Sequence, residues 1–286
     1  MLDIKAAGLC HSDVGFLEED DYPLPAPPPV TLGHEVAGVI AEIGEGVEGW
    51  SVGDRVGIAN IGDSVPGIMR DGGFTYKITA RPDVLLRMPD ALSFEQAALA
   101  ADAGATAHHA VIAVGQAGPG VKIGILGFGG LGQIGTRIAA LAGADVYVAE
   151  IKEETWPLAI AFGAIKVVKD ITELADEQLD VIVDFAGFGT TTAAAIETVR
   201  VGGRVVQAGM AKKQATISIW TMIMNQVSLI PTLGGTMEDL KAVYDHMASG
   251  RLTPKITTIS FAEIPEGLAR LSQGTADGRL VARIGD

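Results

Sequence analysis

Three short clusters carry side chains that could hold a metal ion. They are Cys10-His11-Ser12-Asp13, then Gly33-His34-Glu35, then a single carboxylate at Asp102. A thiolate, an imidazole and a carboxylate make a sufficient donor set for a zinc ion that keeps its fourth coordination position open for a reacting molecule. Taken one at a time, each has a plainer reading. A lone Cys is usually a small buried hydrophobe, a lone His a satisfied core residue, and Asp102 a turn cap. Only the combination points to a metal.

A second chemistry-bearing feature follows. Gly127-Phe128-Gly129-Gly130-Leu131-Gly132 comes after the apolar run Ile123–Leu126 and opens a helical stretch, the context in which such a turn binds a dinucleotide. Gly127 permits the tight turn, Gly129 lets the backbone approach a pyrophosphate, and Gly132 lets the helix pack closely on the sheet. The helix N-terminus then offers free amides to the phosphates. Glu150 closes the next predicted strand, where a carboxylate binds ribose hydroxyls and repels a 2′-phosphate, so NAD is favoured over NADP. Lys152, two residues on, softens that preference. Metal ligands ahead of a nucleotide fold imply metal-assisted hydride transfer.

The elements that must position these groups fall into two styles. Through the first hundred residues short strands alternate with turns: Glu35–Ile43, Arg55–Ile61, Gly73–Ala80 and Val84–Met88. Tyr22–Pro29 carries five prolines and reads as an extended loop. Ser93 with Gln96 resembles a capping box opening a helix through Ala101, with a break at Gly104. From Lys122 strands and helices alternate: Lys122–Leu126, Leu131–Ala142, Asp145–Glu150, Lys166–Val168, Val181–Phe185 and Arg204–Gly209. That rhythm predicts a parallel sheet covered on both faces, an α/β fold. Thr236–Ser249 reads as a helix capped by Thr236 and closed by Gly250. The adjacent pair His108-His109 reads as helix-start residues; neighbours on a helix cannot share an ion well.

Composition bounds the function. The 286 residues carry 35 acidic and 21 basic side chains for a net charge of −14, which argues against nucleic acid or an anionic membrane as partner. One cysteine excludes an intramolecular disulfide. Met1-Leu2-Asp3-Ile4 lacks a signal-peptide layout, and the apolar stretch Val121–Ala149 is interrupted by Gln133, Arg137 and Asp145, so it reads as buried strand-turn-helix-strand. The expected location is cytoplasmic.

Together the motifs resemble the zinc-dependent alcohol dehydrogenases of the medium-chain dehydrogenase/reductase superfamily. The resemblance rests on Ala7–Asp13, Leu32–Gly38, Gly53-Asp54-Arg55-Val56, Asp102–Ala107, Gly127–Gly132 and Asp277-Gly278-Arg279, in family order over nearly the whole chain. It implies a GroES-like β-rich catalytic domain, residues 1–103 and 234–286, with a doubly wound Rossmann domain, residues 104–233, inserted in it. It implies that Cys10, His34 and Asp102 ligate one catalytic zinc, with Glu35 as an alternate ligand or neighbour, and that Asp13 accepts a hydrogen bond from His34. Ser12 would contact the substrate hydroxyl and relay its proton, Thr106 and Leu131 the nicotinamide, and His11 and Arg279 the pyrophosphate. The implied reaction is reversible hydride transfer between an alcohol and NAD, giving an aldehyde or ketone, in a homodimer or homotetramer.

Three departures from the family pattern stand out. The four-cysteine structural zinc lobe has no counterpart in Gly57–Arg70. The segment that normally precedes the strand beginning at Met1 is missing, which implies a truncated gene model, a deletion or a trimmed domain. Gly15 stands where a proton-relay histidine is common. A zinc-free quinone or enoyl reductase of the same superfamily, or a nucleotide-binding protein without turnover, are the competing readings.

Overall fold

The structure, a computed structural model, describes residues 1–18, 25–276 and 278–285, so part of the Tyr22–Pro29 loop and Asp277 lie outside the described residues. The chain divides into two compact units, Met1–Ala105 with Gly234–Asp286, and Thr106–Leu233.

The first unit is built on a mixed sheet. Its early strands are β1 (Leu2–Gly8), β2 (Glu35–Ile40), β3 (Arg55–Ile58), β4 (Lys77–Ile78) and β5 (Leu85–Arg87); β12 (Ile256–Ser260) and β13 (Arg279–Arg283) come from the far end of the chain. The order is β12-β13-β1-β2-β3-β5, with β4 also paired to β1. β1 lies between β2 and β13 and is antiparallel to both, with Gly8 opposite Glu35 on one side and Val281 on the other. Leu2, Ile4, Leu9, Val36, Val56, Ile58 and Leu280 join in one core beneath it.

The expected strand Gly73–Ala80 is shorter than its sequence suggests. Only Lys77–Ile78 pairs as strand. Upstream, Gly72, Gly73 and Phe74 donate their N–H groups to Thr31, Gly33 and Leu32 carbonyls at 2.7, 2.7 and 3.0 Å. Those bonds spend the ladder capacity of the segment on the turn that delivers His34.

Ser93 and Gln96 do form a capping box, and the helix begins at Phe94. The break expected at Gly104 does not occur. Helical structure runs without interruption to Val114, as α-helix over Phe94–Leu99 and Ala105–His108 and as wider π-turns over Ala100–Gly104 and His109–Val114. Gly104 serves packing instead. A Cβ there would stand 2.8 Å from Val243 Cγ1 on the helix Met237–Ala248, so the missing side chain lets two helices approach. His108 and His109 accordingly lie inside the helix rather than at its start. Phe94–Val114 is long and apolar enough to cross a membrane by length and composition, but 61% of its most apolar window is buried, as in a core helix.

The second unit is a six-stranded sheet in the order β11-β10-β9-β6-β7-β8, parallel at every pairing. Its strands are β6 (Lys122–Leu126), β7 (Asp145–Ala149), β8 (Ala164–Val168), β9 (Val181–Asp184), β10 (Arg204–Gln207) and β11 (Ser228–Pro231). The order reverses direction between β6 and β9, which makes the carboxyl end of β6 a topological switch point where ligands bind. The helix Gly130–Leu141 starts there, and the stretch Val121–Ala149 is the buried strand-turn-helix-strand its sequence predicts.

Thr236 caps the helix Met237–Ala248 by accepting from Asp239 N at 3.2 Å, and Gly250 follows with φ of 70°. This helix buries Tyr244, whose hydroxyl lies against β3: a Cβ at Gly57 would stand 2.0 Å from it. Gly57→Ala is therefore expected to overpack the site and destabilise the protein by about 1–3 kcal/mol. A urea unfolding midpoint unchanged from wild type would show that Tyr244 relaxes without cost.

Candidate metal centre and nucleotide turn

Cys10 ends the loop after β1, His34 stands just before β2, Glu35 opens β2, and Asp102 projects from the first π-turn. The fold brings together what the sequence keeps apart. The ligand atoms of Cys10, His34, Glu35 and Asp102 all lie within 4.8 Å of one another. His34 Nε2 is 3.5 Å from Asp102 Oδ2, which is on the order of the edge of a tetrahedron with zinc–ligand bonds of about 2.0–2.3 Å.

Local structure explains the precision. Asp13, wholly buried, takes the Cys10 N–H at 3.0 Å on one oxygen and the Gly33 N–H at 3.2 Å on the other. His34 Nδ1 is 3.2 Å from the same carboxylate. One acid thus ties both ligand-bearing loops and orients the imidazole, leaving Nε2 toward Asp102. Gly33 has φ of 95°, a conformation glycine adopts without steric cost. The widened turn at Ala100–Gly104 is the kind of irregularity that often re-aims a functional side chain on a long helix.

Glu35 is fully buried and pairs with Arg279, itself 6% exposed. The sequence did not suggest this partnership. It is possible only because Gly8 lacks a side chain, since a Cβ there would fall 1.9 Å from Glu35 Oε2. Arg279 was expected on a pyrophosphate; its guanidinium is here committed to Glu35.

Electrostatics follow from this burial. Desolvation lifts Glu35 to about 7 despite the Arg279 charge beside it. Burial opposes the His34 imidazolium, but the Asp13 charge and hydrogen bonds to Asp102, Asp13 and Cys10 outweigh it, so His34 is raised well above its ordinary value. Burial would raise Asp102, yet its bond to His34 and the charges of His34 and Arg279 hold it below the usual carboxylate range. Asn60, which follows β3, is a further, smaller influence that lowers Asp102. Sequence reading missed it, and no signal beyond its place near the Gly-Asp-Arg-Val segment marked it.

Ser12 is half-buried and its Oγ lies 3.8 Å from Cys10 Sγ. His11 opens the helix His11–Glu18 and is exposed, while Gly15 on the same helix is buried.

In the second unit Gly127 has φ of 88°, and a Cβ at Gly132 would lie 1.9 Å from Gly127 O. Neither position tolerates a side chain. Gly129 caps the helix Gly130–Leu141, with open space around its own Cβ position. Glu150 holds the turn in place, accepting from Phe128 N at 2.6 Å and Lys152 N at 2.8 Å. Leu131 is half-buried on the first turn of that helix, and Thr106 is half-buried in the helical run Phe94–Val114.

Residues 1–90 match the alcohol dehydrogenase GroES-like domain and residues 130–249 match the zinc-binding dehydrogenase family. An alcohol dehydrogenase of Geobacillus stearothermophilus is 30% identical, with 98% of this chain and 90% of the relative covered. The chain belongs to the zinc-binding alcohol dehydrogenase family of the medium-chain dehydrogenase/reductase superfamily. Solved structures agree. The alcohol dehydrogenase of Aeropyrum pernix superposes with a TM-score of 0.89 at 28% identity, covering 99% of this chain and 91% of that one. Acetophenone reductase from Geotrichum candidum, solved in complex with NAD, gives 0.90 at 27% identity over 99% and 88%. As a member of this family the chain is an oxidoreductase with a zinc-binding, GroES-like and Rossmann architecture.

The donor set suits zinc: one thiol, one imidazole and one carboxylate, with Glu35 held back by Arg279. Removing Arg279 should be costly even without metal, because it leaves Glu35 buried and unpaired. Arg279→Ala is expected to lose about 3 kcal/mol, the lower end for a broken buried pair since Glu35 can take up a proton. Adding Glu35→Gln should recover part of the loss. Additive effects of the two substitutions in denaturant titrations would show that the pair is not coupled.

Proposed function

We propose that this chain catalyses reversible hydride transfer between an alcohol and NAD, giving an aldehyde or ketone, with one zinc held by Cys10, His34 and Asp102. The observation that carries the reading is the convergence of those three side chains, buried or nearly so, within 4.8 Å in a chain of this family. When bound, the metal supplies Lewis acidity toward the alcohol oxygen, which makes the hydroxyl proton easier to remove near neutral pH.

The protein's own groups do the rest. Asp13 keeps the His34 imidazole oriented. Ser12, beside Cys10, receives the hydroxyl proton and passes it outward. With Gly15 in the helix that follows, that position offers no titrating side chain near neutral pH, so the exit route runs through other groups. The amides around Gly127, Gly129 and Gly132 receive the pyrophosphate at the helix N-terminus. Glu150 takes the ribose hydroxyls, Thr106 and Leu131 flank the nicotinamide, and His11 completes the phosphate contacts, while Arg279 stays paired with Glu35. In this reading residues 1–103 and 234–286 form the catalytic domain and 104–233 the nucleotide-binding domain.

The substrate is a small alcohol or carbonyl compound. We further read the protein as a homodimer or homotetramer. That reading is supported by the terminal strand β11 and by the exposed Ile219, Trp220, Ile223 and Met224 on the short helix before it.

Two outcomes test the reading. Elemental analysis should find about one zinc per chain, and Cys10→Ser or Asp102→Asn should lose zinc and turnover while NAD binding survives, because the ligands and the glycine turn belong to different units. A zinc-free protein that still oxidises alcohols would overturn it. The unmutated enzyme should also prefer NAD to NADP, and Glu150→Ser should narrow the preference, since the main loss is repulsion of the 2′-phosphate. Equal kcat/KM with both cofactors before mutation would remove Glu150 from that role.

A further inference from the structure

The parallel sheet has a second concave site at the end opposite its glycine turn. Gly127 follows the last residue of β6, whereas the residues just before its first open into a cavity of about 180 Å³ lined by Gln116, Gly120, Asp180, Arg200, Gly202 and Arg204. The first and last residues of β6 are about 13 Å apart at the usual strand rise. The cavity therefore is not part of the dinucleotide site.

Its charges do not cancel. Asp180 is the one carboxylate in the lining, and both of its oxygens are spent. Oδ1 accepts from Arg200 Nε at 2.7 Å and Oδ2 accepts from Lys122 N at 2.8 Å. Arg200 gives another bond to Val201 O at 2.8 Å. Arg204, half-buried at the start of β10, makes a single long hydrogen bond, from Nη1 to Val114 O at 3.3 Å, and among the described residues no carboxylate pairs with it. A guanidinium has five N–H donors arranged as a fork. Arg204 thus brings a positive charge and most of its donors to a cavity in a chain whose net charge is −14. Lys122 is outside the lining, and its ammonium donates to the Glu177 carbonyl at 2.9 Å. Gln116 belongs to the same wall, and its φ of 57° closes the helix that ends at Val114, where Gln116 N and Ala117 N donate to Ile112 O and Val111 O at 3.1 and 3.0 Å.

We propose that this cavity binds a compact oxyanion (inorganic phosphate, sulfate, or the carboxylate of a small metabolite) through the free fork of Arg204 with Arg200 beside it. A planar guanidinium matches two oxygens of such a group at once, which lysine does not do. Glycines at 120 and 202 keep the rim open to a ligand that carries little beyond its charged group. The site does not depend on the reading of the metal centre, since all its residues lie in the second unit.

Calorimetric titration with inorganic phosphate tests this, on zinc-loaded protein with saturating NAD so that the glycine turn is filled, and with chloride holding ionic strength constant. The expected result is one saturable event per chain. Arg204→Met should weaken it about tenfold or more, the scale of a lost hydrogen bond to a charged group, and Arg204→Lys should bind between the two. Parallel titrations with sulfate and acetate tell a tetrahedral anion from a carboxylate. Arg200→Gln provides an independent variant should Arg204→Met melt abnormally, and it too should weaken the event. Absence of a saturable event overturns the proposal. So does an isotherm unchanged in both variants, which would place phosphate at the glycine turn or the metal centre.

Discussion

Charge burial at the end of β1 is the constraint on which the first unit depends. Asp13, His34, Glu35, Asp102 and Arg279 meet around Cys10, and the first three are no more than 1% exposed. Ionised groups removed from water persist only when paired and hydrogen-bonded. Asp13 is stabilised by two backbone N–H groups, Glu35 by Arg279, and Asp102 by His34. Each acid answers to a group from a different part of the chain. The cluster consequently fixes where the loops after β1, before β2 and on the long helix stand relative to one another.

Glycine makes that cluster physically possible. Gly8 leaves room for the Glu35 carboxylate, Gly33 turns the chain at positive φ, and the backbone bonds from Gly72 and Gly73 hold that turn. The pairing of Glu35 with Arg279 joins residues 244 positions apart. The β1–β13 ladder is what draws them together, so the tail of the chain completes a site begun by its first ten residues. In the second unit the same logic operates on a smaller scale. Glu150 spends its oxygens on the backbone of the glycine turn and the residue beyond it, so the turn is braced by the side chain expected to meet the ribose. At the end of β9, Asp184 likewise accepts from Ala186 N, Gly187 N, Thr191 and Thr192, anchoring the neighbouring loop.

Where local reading of the sequence failed, tertiary packing had overridden a local signal. Gly104 looked like a helix break because glycine is a poor helix former. Its lack of a Cβ instead lets Val243 press against the helix. The strand expected over Gly73–Ala80 shortened because its first residues bond across to Thr31–Gly33, a pairing that alternation of side chains does not reveal. His108-His109 moved from helix start to helix interior for the same reason Gly104 ceased to be a boundary.

The sequence by itself determined the types of group available and the local turns that present them. A Gly-rich turn between an apolar strand and a helix, a Ser93–Gln96 capping box and a Thr236 cap are set by interactions within a few residues, and all are present. Cys10, His34 and Asp102 were legible as candidates because metal chemistry narrows the useful residue types. Only the tertiary structure decided that they converge, that Asp13 binds two loops at once, and that Arg279 spends its charge on Glu35. Those facts depend on strand register, helix pitch and the cost of burying charge. No short window of sequence encodes them, because each involves groups brought together only by the folded sheet.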